Sequence, residues 1–168
     1  MFRRLLPSFV CLLSLSLASP AQQPGTTKRK VPETCAVTKP LDHPFVPPRP
    51  YRALRSNSGG FLFGTDRFWT LLRSDGIWAQ GEKTLWFRQE WGHRTDKADW
   101  VSGSKLAVRA RRLDGPAPLP EILRATSSYT RDLKKFLLGG INFSTPGCWE
   151  VSGHYEDDDL TFVVWVVK

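Results

Sequence analysis

From Gly59 to its end the chain is cut by glycine, proline and aspartate into short apolar runs, and this punctuation constrains the fold more than any other feature. Phe61 to Phe63, Phe68 to Leu72, Ile77 to Ala79, Lys83 to Trp91, Leu106 to Leu113, Ile122 to Thr126, Phe136 to Phe143, Trp149 to Tyr155 and Leu160 to Val167 all read as strands. Several alternate apolar with polar residues, as a sheet with one buried face requires. Such runs fit an all-β, antiparallel, immunoglobulin-like sandwich of about seven or eight strands better than any α/β layout. Ser74-Asp75-Gly76 predicts a hairpin between its flanking runs, because glycine accepts positive φ. Gly139-Gly140 predicts a bulge or a close approach, and Ser128 to Lys135 a helical turn. Leu160 to Val167 is apolar on both faces, which predicts a covered strand rather than an edge.

Before Gly59 the pattern changes. Pro24, Pro32, Pro40, Pro44, Pro47, Pro48 and Pro50 crowd a stretch in which helix and central strand are therefore excluded. A tail is expected up to Lys30, followed by an extended strap from Cys35 to Tyr51 with Phe45, Val46 and Tyr51 as apolar anchors. Further forward, Met1 to Arg4 is basic, Leu5 to Leu17 is apolar, and Ser19-Pro20-Ala21 supplies small residues for cleavage before Gln22. That is the layout of a secretory signal, too short for a membrane span. The expected organisation is a signal over 1–21, a Pro-rich tail and strap over 22–57, and a sandwich over 58–168.

Cleavage changes the cysteine arithmetic. Of three cysteines, Cys11 leaves with the signal and Cys35 and Cys148 remain. In an oxidising compartment one disulfide is the simplest outcome, with two buried free thiols as the alternative. A bond closing so long a loop stabilises by about 4–5 kcal/mol at most in the chain-entropy model. The formal net charge of +8 falls by two when Arg3 and Arg4 are removed and stays clearly basic. A basic exported chain attracts an acidic or glycan component of the cell envelope, in the periplasm or outside, while export argues against nucleic acid. The plain alternative is a charged surface that only aids solubility.

The ending Pro146-Gly147-Cys148-Trp149, followed by Leu160-Thr161-Phe162-Val163-Val164, resembles a group of uncharacterised exported bacterial proteins. Gly64-Thr65-Asp66, Trp69-Thr70 and the turn Arg112 to Gly115 share in the likeness. The last two strands also resemble the closing hairpin of bacterial immunoglobulin-like domains. The resemblance implies the sandwich fold and carries no activity with it.

Function is less legible. Seven tryptophans are more than a small core readily absorbs. On the run Lys83 to Trp91, alternation puts Trp86 with Arg88 and Glu90 on one face, and Leu85 with Phe87 on the other. Trp91 and Trp100 border a polar loop. Trp86, Trp91, Trp100 and Arg88 are thus the candidate platform for a sugar ring or peptide, unless all the tryptophans pack inside. Arg109 and Arg111 share a face beside Arg112, with Lys134-Lys135 as possible neighbours; such a row reads a carboxylate or phosphate, or guards an edge strand. The acidic turn Glu156 to Asp159 lacks the spacing of a calcium loop, and His43, His93 and His154 lack the spacing of a zinc site. No hydrolase, metalloprotease or phosphate-loop motif is present, so no catalytic residue and no cofactor is assigned. The leading expectation is a non-catalytic binding or scaffolding module of the envelope. A glycan or peptide binder using tryptophan, and an envelope-polymer enzyme or protease inhibitor, are the alternatives.

Overall fold

The computed structural model describes residues 30–52, 59–93 and 101–168. The expected signal peptide with Cys11, the tail over 22–29 and the candidate Trp100 lie outside the described residues.

Nine strands are found among the described residues: β1 Gly60–Gly64, β2 Phe68–Arg73, β3 Ile77–Ala79, β4 Gly81–Arg88, β5 Leu106–Arg112, β6 Glu121–Thr130, β7 Lys134–Asn142, β8 Gly147–Tyr155 and β9 Asp158–Val167. They form an all-β sandwich of two sheets, ordered β1-β2-β4-β7-β6 and β3-β9-β8-β5. All pairs are antiparallel except β3 with β9. Without β1 and β3, the orders β2-β4-β7-β6 and β5-β8-β9 are those of a constant-type immunoglobulin sandwich. Each of the nine apolar runs read in the sequence contributes a strand, which makes one or two more than the expected seven or eight.

The core between the sheets is aromatic. Trp86 stacks on Phe68 with ring centroids 5.4 Å apart and meets Phe162 of the opposite sheet at 6.0 Å. Its indole N–H donates to Thr84 Oγ1 at 2.8 Å, so the buried ring carries no orphan donor. The ring lies directly against the backbone of β8: a Cβ on Gly153 would come within 2.3 Å of it. Glycine at 153 is therefore a packing requirement.

The outer face of β4 is apolar too, and the strap covers it. Trp69 and Phe87 stack at 6.0 Å, and Tyr51 meets Trp69 edge-on at 4.9 Å. Phe45 joins them, whereas Val46 is exposed. The Tyr51 hydroxyl lies 2.9 Å from the Arg88 carbonyl and 2.8 Å from that of Lys135, its one proton shared between them. Burial, reinforced by the charge of Glu90, pushes this hydroxyl well above the usual tyrosine range. On the other sheet Cys35 and Val37 pack with Cys148, Val163 and Trp165. The Cys35–Cys148 disulfide is formed, its sulfurs 1.98 Å apart.

Two local expectations are corrected and one is sharpened. Ser74-Asp75-Gly76 turns the chain, with Gly76 at φ 66°, but β2 and β3 do not pair. Asp75 takes the Ile77 N–H and the Arg73 guanidinium, and β3 leaves for the opposite sheet, where the Gly76 carbonyl accepts the Trp165 N–H. The extra residue of the bulge lies on the facing strand, where the register shifts between Leu123 and Thr126 opposite Gly139. The glycines themselves take the close approach: a Cβ on Gly140 would meet the Leu123 side chain at 3.0 Å. Residues 128–135 hold no helical turn: β6 runs to Thr130, whose hydroxyl accepts the Leu133 N–H in a three-residue turn into β7. The covered strand is as expected, since β9 lies between β3 and β8.

Candidate functional site

Among the described residues the expected tryptophan platform is not an open surface. Trp86 is 0% exposed, Trp91 2% and Arg88 5%. Alternation along β4 holds as far as Arg88, but the face carrying Trp86 and Arg88 is the inner one. Beyond Arg88 the chain tightens into a 3-10 turn, Gln89–His93, that presses Trp91 edge-on against Tyr155 at 5.0 Å. Burying these rings removes a large apolar area from water, and the strap supplies the cover on the far side of β4 that lets them turn inward.

Arg88 closes one end of the sandwich instead. Its guanidinium reaches Glu90 at 2.9 Å, Asp158 at 2.7 Å and Glu156, and it lies 5.1 Å over the Tyr155 ring. Arg67 joins Asp158 at 3.2 Å and Lys105 joins Glu156 at 2.9 Å. The acidic turn is thus not simply solvated. Glu156, at φ 56°, bends β8 into β9, and its neighbour Asp158 is buried against Arg88. Hydrogen bonds from Lys105 and then Arg88 hold the Glu156 carboxyl below the ordinary carboxylate range. The Arg88 guanidinium is buried and held by three carboxylates, with only its Nε lacking a partner, so it presents no open face to an anionic ligand. Carboxylates engaged by cations are poor calcium ligands. Among the described residues no group of three His, Cys, Asp or Glu is placed to hold a metal. His154 pairs with Asp159 at 2.8 Å.

The open surface lies at the other flank. β5 is the last strand of its sheet, and β6 is the last strand of the other. The connection between them, Leu113 to Pro120, is rich in proline and does not pair with either. It stands off the edge of β5 and encloses a groove of about 720 Å³, lined by Val108 to Arg112, Gly115 to Pro120 and Ile122, with Trp149, Glu150 and Ser152 of β8. Ala117 packs on the core, and the Ser144 hydroxyl donates to the Pro118 carbonyl at 2.7 Å, which fixes the loop at its middle. Leu119, next to that anchor, is 89% exposed. Ile122, at the edge of exposure, lines the groove with it.

The arginine row stands on this edge. Arg111 bonds Glu150 at 2.9 Å, and Arg112 bonds Asp114 at 2.6 Å and Thr145 at 3.2 Å. Arg109 is exposed and pairs with no described carboxylate. Lys134 and Lys135 do not join the row: they begin β7 in the other sheet, and Lys135 is buried. The groove itself was not foreseen. Its trace in the sequence is a leucine between prolines, Pro118-Leu119-Pro120, an apolar side chain where no strand can bury it.

The chain matches no family model, no curated protein and no solved structure.

Proposed function

We propose that this chain is an exported, non-catalytic binding or scaffolding module of the cell envelope, and that its working surface is the groove between β5 and the Pro-rich loop. One observation carries the reading: a sheet edge that pairs with no described strand, the exposed Leu119 and an arginine row coincide on a flank where an anchored loop stands off the edge. Grooves with exposed apolar groups of this kind mark interaction surfaces. The signal-like start and the disulfide support export. No helix among the described residues is long and apolar enough to cross a membrane. The non-catalytic reading is supported by Glu156, whose carboxyl is bonded by Lys105 and Arg88 and held below the ordinary carboxylate range, which does not suit a proton carrier near neutral pH.

A photo-activatable residue at Leu119, with one at exposed Thr161 as control, tests the assignment in the cell of origin. A discrete adduct formed from 119 and not from 161 is expected. Equal labelling from both, or none from 119, rejects the groove as the working surface. Sequencing of the processed amino terminus tests export, with Gln22 expected first.

A further inference from the structure

We propose that the occupant of this groove is an extended peptide strand that adds antiparallel to β5, with acidic side chains at alternate positions and apolar ones between. The proposal rests on the groove being the working surface and names the chemistry of what fills it.

The backbone sets the register. Leu113 N–H donates to the Cys148 carbonyl at 2.8 Å, and these two residues are direct partners by continuation of the β5–β8 register. In an antiparallel ladder hydrogen-bonded pairs alternate with non-bonded ones. Arg111, Arg109 and Ala107 therefore turn their amides to β8, while Arg112, Ala110 and Val108 turn theirs outward. The same count carried across β8 puts the outward groups of β9 at Val163 and Trp165, and those are the ones that bond Thr38 and Gly76. The outward amides of Val108 and Ala110 meet no described strand. An incoming strand would satisfy them, the mode by which sheet edges take peptides.

The side chains then select the partner. Residues of the added strand opposite Val108 and Ala110 point to the apolar wall made by Ala117, Leu119 and Ile122. Residues opposite Arg109 and Arg111 sit in non-hydrogen-bonded pairs on this new edge, where facing side chains come closest. Arg109 has no described carboxylate of its own, so an acid there gains a partner without displacing one. A second copy of β5 is a poor occupant. The fullest antiparallel self-pairing sets Arg109 against Arg109, and the next registers on either side set Arg109 against Arg111 or Arg111 against Lys105; like charges directly opposed destabilise. The chain's own segment Lys28-Arg29-Lys30 is disfavoured for the same reason.

The test uses the processed full chain and a short synthetic peptide alternating glutamate with valine. Binding is read by anisotropy of the labelled peptide. Saturable binding that weakens with salt is expected, and about a ten-fold loss or more when the peptide amides facing β5 are N-methylated. Methylating the amides that face away should leave affinity unchanged. Arg109→Glu with Arg111→Glu should transfer preference to a peptide alternating lysine with valine. Ala110→Pro removes one outward amide without touching the β8 ladder, and should abolish binding in a chain whose circular dichroism is unaltered. The N-methylated peptides decide the matter even if that variant fails to fold. Failure of the glutamate peptide to bind, or equal binding of both methylated forms or of a sequence-scrambled peptide, overturns strand addition. If Leu119 still forms its discrete adduct, the groove survives as the working surface and only the strand chemistry falls. If that adduct is missing as well, both readings fall.

Discussion

The two flanks of the disulfide-bearing sheet receive opposite treatment. At β9 the outward edge is covered over the stretch from Val163 to Val167: β3 pairs with the end of the strand, and Thr38 of the strap bonds Val163 through both its amide and its hydroxyl. The disulfide fastens that cover in place. Among the described residues β5 has no such cover, and the connection to β6 that could have supplied it is rich in prolines that cannot pair. Edges left open usually carry a guard of charge, and β5 has one in its arginines. A guard needs no groove beside it, however, and no exposed leucine. The contrast separates a flank closed by its own chain from one that the described residues leave open, and on the proposed function substitutions should divide the same way.

Removing the clamp should give the largest effect. Cys35→Ser with Cys148→Ser, or reduction of the native chain, should lower the unfolding free energy by about 2–5 kcal/mol, since the bond spans 113 residues. Urea denaturation measures it. A loss under about 1 kcal/mol would mean that the covered flank holds without its clamp. Next comes Gly153→Ala, which drives a methyl group into the Trp86 ring and should cost about 1–3 kcal/mol with a shift in tryptophan fluorescence. Tyr51→Phe leaves two buried carbonyls sharing no hydroxyl and should cost about 1–3 kcal/mol, again on the strap side.

How much of this could be read in advance differs between the two flanks. Counting cysteines after signal removal sufficed for the clamp, and the prolines sufficed for a strap, because both are properties of composition and position. The strands of β8 and β9 followed from alternation. Alternation failed at β4, where both faces are apolar: the period places Trp86 opposite Phe87 but cannot say which face lies between the sheets and which beneath Tyr51. It failed again at Asp75-Gly76, since a tight turn has the same residues whether the next strand pairs back or crosses over. The pairing of Arg88 with Asp158 joins residues 70 apart and leaves no periodic trace. The groove was least visible, because an edge is defined by sheet order, which no local pattern encodes.

Acid should probe the closed end of the sandwich more gently. The Glu156 carboxyl is held below its usual range by Lys105 and Arg88, so its contribution is complete above the ordinary carboxylate pKa of about 4.3 and is lost as pH falls through the lowered value. Stability should therefore decline below about pH 4, and Glu156→Gln should decline less over the same window. The group is exposed, so the difference should shrink further in high salt. Parallel acid profiles for the two proteins at low salt would remove Glu156 from the network that ties β4 to the last hairpin.

The smallest effect is expected where the comparison is sharpest. Leu119 projects from a loop held by Ala117 and by the Ser144–Pro118 hydrogen bond, and it contributes little buried area of its own. Leu119→Asp should change unfolding free energy by no more than about 0.5 kcal/mol, the usual range for a surface position. A leucine kept at the surface for packing would behave otherwise, since its loss would register at the scale of the clamp-side substitutions. Equal urea midpoints for Leu119→Asp and the unaltered chain, together with loss of peptide binding, would mean that this side chain serves a partner and not the fold. A drop comparable to that of Tyr51→Phe would place the loop with the strap as a cover, and the two flanks would no longer differ in kind.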